Sequence, residues 1–474
     1  MGYLVKKSAL APPVTERLRP DERLPRACVI GAGSSGLAAA KALYSARVPF
    51  DCFERGPVVG GNWVFENPNG VSACYRSLEI NTSCPRMAYS DFPMPAYYPD
   101  YARHWEVREY FERYVDHFGF RHTITFGTTV DHVERRPDGV FEVTTTGHEG
   151  RHVREYDAVL VCNGHHWDAR WPDPPYPGEF DGEQIHAHDY REPDQLEGRD
   201  VVVVGMGNSA MDIAVDASYV ARTTTLSVRR GQWVLKKHLL GGPTDQRPLP
   251  PWLPWAVRRT MFDLGARLSG NPATYGFPRP DHRPGESHPV QSDRLFDRVA
   301  DGRITPKPGI ERLAGDRVVF TDGSEVAADL VVWATGYRVS FPFLDANYVS
   351  APDNDLPLFQ RVVHPDRPGL FFVGLLQPLG AVMPLAEAQS AWIAELLAGR
   401  CALPPTEVQR RRMRKDDERN KRRFYRSARH TMEVDFDEYL VALRKERERG
   451  RQRAAGGAPP VVPASSRPDL RAAS

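Results

Sequence analysis

The 474-residue sequence predicts an α/β fold of two parallel-sheet domains, the second inserted into the first. Three observations predict it. Residues 27–43 and 201–221 each read as an apolar strand, a glycine-rich turn and a helical pattern. Each unit is closed by an acid-led apolar strand ending in glycine, at 157–164 and at 329–336. Gly164 stands 133 residues after Gly31, and Gly336 stands 131 after Gly205, so the two units repeat at nearly equal length. The length also exceeds the ~50–250 residues of one compact core.

In the first unit the spacing Gly31-x-Gly33-x-x-Gly36 has a mechanical reason. Gly31 permits a tight turn, Gly33 lets a pyrophosphate approach the backbone, and Gly36 allows close helix–strand packing. Free N–H groups at the helix start then face the phosphates. A bare triple arises by chance about 0.24 times in a chain this rich in glycine, so its context carries the reading. The next apolar strand, 49–53, ends at Glu54, 23 residues after Gly31. That is near the ~20 expected for an acid that grips a ribose hydroxyl, and the pattern is that of a Rossmann-like dinucleotide-binding domain.

The second unit reads Gly205-x-Gly207-Asn208-Ser209-Ala210, with alanine where only a small side chain fits. Its next strand, 224–228, ends in Arg229-Arg230, where the first unit has its acid. A carboxylate there would repel a 2′-phosphate, whereas guanidinium groups bind phosphate in forked geometry. The two ends imply two different dinucleotides, FAD in the first domain and NADPH in the second.

Domain limits follow. Residues 1–25 read as a flexible arm, 26–164 and 329–450 as a discontinuous FAD-binding domain, and 165–195 as a linker rich in Pro, Gly and His. Residues 196–328 read as the NADPH-binding domain and 451–474 as a disordered tail. Alternating stretches at 141–146 and 317–321 predict antiparallel strands appended to each domain. An irregular insertion spans 239–290 with one helix near 255–268, and Trp252, Trp255 and Phe262 there read as core. The charged stretch 406–449 predicts a surface helix with Phe424, Tyr425, Phe436, Tyr439 and Leu440 facing inward.

Composition excludes other classes. With 41% hydrophobic and 26% charged residues, the chain is neither disordered nor fibrous. A net charge of +1 gives no field for nucleic acid or anionic lipid. The 6 cysteines form no CxxC pair and no ligand spacing, which favours a reducing compartment, the cytoplasm. Residues 1–25 lack the apolar core of a secretory leader. The apolar-rich stretch 368–385 is broken by Gln377, Pro378, Gly380 and Pro384, short of the ~20 apolar residues of a span. A soluble protein is expected. His165-His166 and His186/His188 lack accompanying carboxylates or cysteines, so no metal is expected. Ser209 is not in a nucleophile elbow, which argues against a hydrolase. The basic run 410–415 meets Asp416, Asp417 and Glu418 and reads as a solvated helix face.

Further motifs are more specific than either cradle. Residues 180–190 spell Phe180-x-Gly182-x-x-x-His186-x-x-x-Tyr190. With Gly60-Gly61-Asn62-Trp63, Asn81-Thr82-Ser83, Ala334-Thr335-Gly336-Tyr337, Gly374-Leu375-Leu376-Gln377-Pro378 and Glu387-Ala388-Gln389, the chain resembles the flavin-containing monooxygenase family, the class B flavoprotein monooxygenases. The resemblance runs from about residue 26 to 445. It implies that Gly31, Gly33, Ser35, Gly36 and Glu54 hold the ADP half of FAD, and that Asn62, Trp63, Asn81, Thr82 and Gln377 line the flavin half. Gly205, Gly207, Asn208, Ser209, Arg229 and Arg230 would hold NADPH. Asn81 is the implied catalytic residue, its amide beside the flavin, and His186 would order the linker.

The implied reaction is that of an N,N-dimethylaniline monooxygenase-like enzyme. NADPH reduces the flavin, dioxygen adds to form a C4a-hydroperoxide, and one oxygen passes to a soft nitrogen or sulfur nucleophile. The fingerprint ends at Tyr190, as in enzymes oxidising nitrogen and sulfur, whereas the related Baeyer–Villiger enzymes typically carry Trp there. Ala210 and Cys84 depart from common family residues. The alternatives are a Baeyer–Villiger monooxygenase acting on ketones, and a flavoprotein reductase, against which the missing CxxC counts. Expected partners are a small amine, sulfide or ketone and dioxygen, with no nucleic acid and no membrane; a homodimer is left open.

Overall fold

A computed structural model describes residues 10–239, 241–246, 255–284, 286, 290–423 and 432–462. Two parallel five-stranded sheets carry the chain. In the first, Ala27–Ile30 is central, between Phe50–Phe53 and Ala158–Val161, with Ile124–Thr125 and Leu370–Phe372 at the edges. In the second, Asp200–Val204 is central, between Thr223–Ser227 and Leu330–Trp333, with Thr305–Lys307 and Glu183–His186 outside. The central strands are continuous apolar runs because helices and loops cover both faces of a parallel sheet.

The repeat extends to single hydrogen bonds. Asp157 accepts from the Arg26 N–H at 2.8 Å and Asp329 from the Asp200 N–H at 2.8 Å. Each acid ties its closing strand to the start of the central one. Helix Ser34–Ser45 follows the first central strand and helix Asn208–Val220 the second. The alanines of Ser34–Ser45 keep its buried face narrow, so that it packs closely on helix Met383–Leu397. Both expected antiparallel additions are present: Thr129–Arg135, Phe141–Gly147 and Gly150–Tyr156 on the first sheet's side, and Ile310–Ala314, Arg317–Phe320 and Glu325–Ala327 on the second's.

Several sequence boundaries move. Leu330–Trp333, expected in the FAD-binding domain, is a strand of the second sheet, which sets that boundary beyond residue 333. The stretch expected as linker contributes Glu183–His186 to the same sheet, paired with Leu330–Trp333. The arm is fastened from residue 10: Ala11 N–H donates to Asp91 O, Val14 N–H to His117 O, and Leu18 N–H to the Tyr44 hydroxyl. The tail is helical to Ala455, and Val462 is buried. Hydrogen bonds to residues distant in sequence, invisible in a Pro- and Arg-rich composition, fasten residues 11–18.

The insertion holds helix Trp255–Ser269 among short pieces. The charged stretch is two helices, Thr406–Arg423 and Phe436–Ala455, with strand Glu433–Asp435 between them. Phe436 and Tyr439 are buried as expected, Leu440 is half-buried, and Phe424 and Tyr425 lie outside the described residues, as does Trp252. Ion pairs bind Phe436–Ala455 to Met383–Leu397, and Arg412 of Thr406–Arg423 pairs with Glu446. Burial pushes the Glu395 carboxyl up, but hydrogen bonds from Arg451 and Arg447 outweigh it and hold it at about 2. All 6 cysteines are unpaired and buried, and burial raises their thiols, Cys74 to about 12 and Cys84 to about 11. Among the described residues no helix is long and apolar enough to cross a membrane, and no cluster of potential metal ligands occurs.

Candidate active site

The first cradle separates two reasons for glycine. Gly31 has φ of +100°, and a Cβ on it would lie 2.9 Å from Cys162 O. A Cβ on Gly36 would lie 1.8 Å from Gly31 O, so the fold itself forbids any side chain there. Gly33 differs. Its φ is −76°, which every residue adopts, and its Cβ would meet nothing nearer than Gly61 Cα at 3.6 Å. Nothing inside the protein requires glycine at 33, which leaves its bare backbone open to a ligand. Gly33→Ala is therefore expected to leave the apoprotein's stability within about 0.5 kcal/mol while weakening flavin binding, whereas Gly36→Ala destabilises the fold. Thermal melting of apoprotein and flavin titration read the two effects separately.

Glu54 ends its strand 5% exposed, its Oε2 accepting from Ala32 N–H at 2.7 Å and its Oε1 from Gly56 N–H at 2.6 Å. Burial pushes its carboxyl above the usual range, and the two backbone donors oppose that. A carboxylate has about four acceptor sites, and with the Asn69 side chain also donating to Glu54, about one remains. Ser35 sits against Gly374, where a Cβ would come within 2.0 Å of its Oγ. Asn62 and Trp63 lie in the turn Gly61–Trp63; Asn62 Oδ1 accepts from Ala73 N–H at 2.7 Å, and Trp63 is half-buried against the core. Gln377 begins the strand Gln377–Leu379, fixed by its N–H to Met432 O at 2.9 Å.

Asn81 and Thr82 occupy a half-buried bend whose backbone is pinned on both sides. Ile80 N–H donates to Ala102 O at 2.9 Å and Cys84 N–H to Asp100 O at 2.8 Å. Ser83 N–H donates to Asp245 Oδ2 at 2.7 Å. In an Asx turn Asn81 itself would take that N–H. Asp245 has it instead. Among the described residues neither the Asn81 amide nor the Thr82 hydroxyl makes a hydrogen bond, so both are available to a ligand.

In the second cradle Gly205 has φ of +130°, and a Cβ there would lie 2.6 Å from Ala334 O. Gly207 precedes helix Asn208–Val220, Ser209 lies half-exposed in its first turn, and Ala210 is fully buried. Asn208 Oδ1 accepts from Gln291 N–H at 3.0 Å, which ties the residue just after the insertion to the cradle. The arginine doublet is not equivalent. Arg229 is exposed and makes no ion pair among the described residues, whereas Arg230 pairs with Asp281 at 2.7 Å.

The fingerprint residues are structural in distinct ways. Phe180 packs half-buried on the second sheet's outer cluster, and a Cβ on Gly182 would come within 2.7 Å of Asp329 O. His186 is fully buried near Trp171 and Tyr337, its Nδ1 accepting from His188 N–H at 3.0 Å, and burial lowers it to about 4. It is neutral at ordinary pH. Tyr190 is fully buried and donates to Asp216 Oδ2 at 2.8 Å.

Sequence reading missed the groups that join the two domains. From the first domain Tyr75 donates to Asp212 Oδ2 at 2.6 Å and Ser77 to Asp216 Oδ2 at 2.5 Å, both acids on the second cradle's helix. Burial raises the Asp212 carboxyl to about 6, opposed by Lys237 and the Tyr75 hydroxyl. The available signal was two acids four apart on an otherwise apolar helix. These bonds bring the loop that carries Asn81 against the second cradle's helix, although the two cradles stand about 170 residues apart in sequence.

Comparison with known proteins agrees with this arrangement. Residues 25–447 match the flavin-binding monooxygenase-like family. The chain is 38% identical over 440 residues to flavin-containing monooxygenase 5 of Cavia porcellus, covering 87% of this chain and 80% of the relative. It is 34% identical to dimethylaniline monooxygenase [N-oxide-forming] 2 of Mus musculus, covering 88% and 82%. Among solved structures, S-allyl-L-cysteine S-oxygenase from Allium sativum aligns with a TM-score of 0.67 at 25% identity, over 91% of this chain and 92% of that one. An open form of cyclohexanone monooxygenase shares the fold, with a TM-score of 0.69 at 19% identity over 92% and 98%. Two dinucleotide cradles, the linker fingerprint and these likenesses agree: the chain belongs to the flavin-containing monooxygenase family and is an FAD- and NADPH-dependent monooxygenase.

Proposed function

We propose that this chain transfers one oxygen atom from dioxygen to a soft nitrogen or sulfur nucleophile of a small molecule, beside the bend at Asn81 and Thr82. The bend is the observation that carries the reading: two uncommitted polar side chains on a backbone pinned from both domains. Tyr190 at the end of the fingerprint supports it, as do the N-oxide-forming and S-oxygenating relatives. Six unpaired, buried cysteines support the cytoplasm as its setting.

When bound, FAD and NADPH supply the redox chemistry and the activation of dioxygen. The protein's residues bind, orient and exclude water. Gly33 leaves backbone bare for a pyrophosphate, and the helix starting at Ser34 offers it N–H groups. Glu54 keeps an acceptor site for a ribose hydroxyl. Trp63, Thr82 and Gln377 line the flavin's surroundings, and Asn62 holds the loop at Ala73. Gly205, Gly207, Asn208 and Ser209 form the second cradle, and Arg229 offers a guanidinium to a 2′-phosphate. The Asn81 amide donates a hydrogen bond but has no proton to give up at ordinary pH, so it orients without acting as an acid. His186, neutral through burial, orders the segment leading to Tyr190.

The test is a screen of amines, sulfides and ketones with NADPH, reading product mass. A gain of one oxygen on an amine or sulfide establishes the proposal. Oxygen gain confined to ketones, with ester products, replaces it by the Baeyer–Villiger reading, and NADPH oxidation that only reduces a partner protein removes both.

A further inference from the structure

Lys237 stands just before the irregular insertion, and its position is unusual for a lysine. It is 5% exposed, and a buried ammonium must be paired. Its partners belong to the other domain: Nζ donates to Glu79 Oε1 at 2.6 Å and to Ile80 O at 3.2 Å, immediately before Asn81. The backbone of Lys237 is itself fixed. Its N–H donates to Asp293 Oδ1 at 2.7 Å, and its carbonyl accepts from the Tyr101 hydroxyl at 2.7 Å and from Thr244 N–H at 2.9 Å. Thr244 is followed by Asp245, which takes the Ser83 N–H on the far side of the bend. Lys237 and Asp245 thus grip residues 79–83 at both ends and leave Asn81 and Thr82 between the grips.

We propose that Lys237 and Asp245 are positioning residues for oxygen transfer: a clamp by which the NADPH-binding domain sets the Asn81 bend in register with the nucleotide it carries. The inference rests on the reading of Asn81 given above. The grips differ in chemistry. Lys237 holds the entry to the bend by charge and a carbonyl bond, and Asp245 holds the exit by one backbone N–H. Neither touches the reacting atoms. Losing a grip frees the bend by tenths of an ångström to an ångström, a displacement that costs up to about 100-fold in a positioned reaction.

The experiment uses the full-length holoenzyme and Lys237→Met, Lys237→Arg, Asp245→Ala and Asp245→Asn. Hydrogen–deuterium exchange of the amides at 80–84 is measured with and without FAD, alongside the ratio of oxygenated product to NADPH consumed. Lys237→Met and Asp245→Ala are expected to raise exchange at 80–84 about tenfold or more, and to lower that ratio about 10- to 100-fold with little change in the KM for NADPH. Lys237→Arg and Asp245→Asn, which keep a donor and an acceptor, restore most of both. If Lys237→Met does not fold, the Asp245 pair decides alone. Unchanged exchange at 80–84 overturns the clamp, whatever the activity. Raised exchange with an unchanged product ratio overturns the positioning role. If the wild type transfers no oxygen, the function proposed above has failed instead, and the exchange data still decide whether the clamp exists.

Discussion

Asn81→Ala is expected to yield a protein that keeps its flavin and oxidises NADPH but releases hydrogen peroxide in place of oxygenated product. The bend is held at Ile80, Ser83 and Cys84 by partners other than Asn81, so alanine leaves it standing. The amide has no hydrogen bond within the described residues to lose, and the cost in stability is about 0.5 kcal/mol or less. On the proposed function, what disappears is a donor beside the reacting atoms, and removing one such donor costs roughly 100- to 1,000-fold. Product yield per NADPH, with peroxide assayed in parallel, checks it. Unchanged yield would show that Asn81 serves only the bend.

Arg229→Ala should raise the KM for NADPH about 10- to 100-fold and barely alter that for NADH. A hydrogen bond to a charged group is worth about 1.5–3 kcal/mol, and each 1.4 kcal/mol is tenfold. Arg230→Ala should act more weakly, because Asp281 already holds that guanidinium. The comparison divides a doublet that looks symmetric in the sequence. Equal losses with both nucleotides after Arg229→Ala would remove the 2′-phosphate from its account.

Much of this was legible in the chain. Glycine spacing, the switch from Glu54 to Arg229 and the twin closing strands located both cradles, because a parallel sheet needs continuous apolar strands and a phosphate needs bare backbone. What the pattern did not carry was contact between distant segments. The bonds of Asp212 and Asp216 to Tyr75, Ser77 and Tyr190 join residues up to 139 apart, and no local periodicity encodes them. The edge strand Glu183–His186 was hidden for a related reason. It is short and partly exposed, and only its pairing with Leu330–Trp333 makes it a strand. Lys237 carries no distinguishing mark in the sequence, and only the fold buries it.

The sealed cysteines carry a consequence for an oxygenase. Any such catalyst leaks oxidant when its cycle misfires, and sulfur becomes vulnerable in proportion to its thiolate fraction and its exposure. Here no cysteine offers either, since every thiol is buried and held in its protonated form. Oxidative damage to sulfur is therefore expected to begin elsewhere, at exposed thioethers such as Met261.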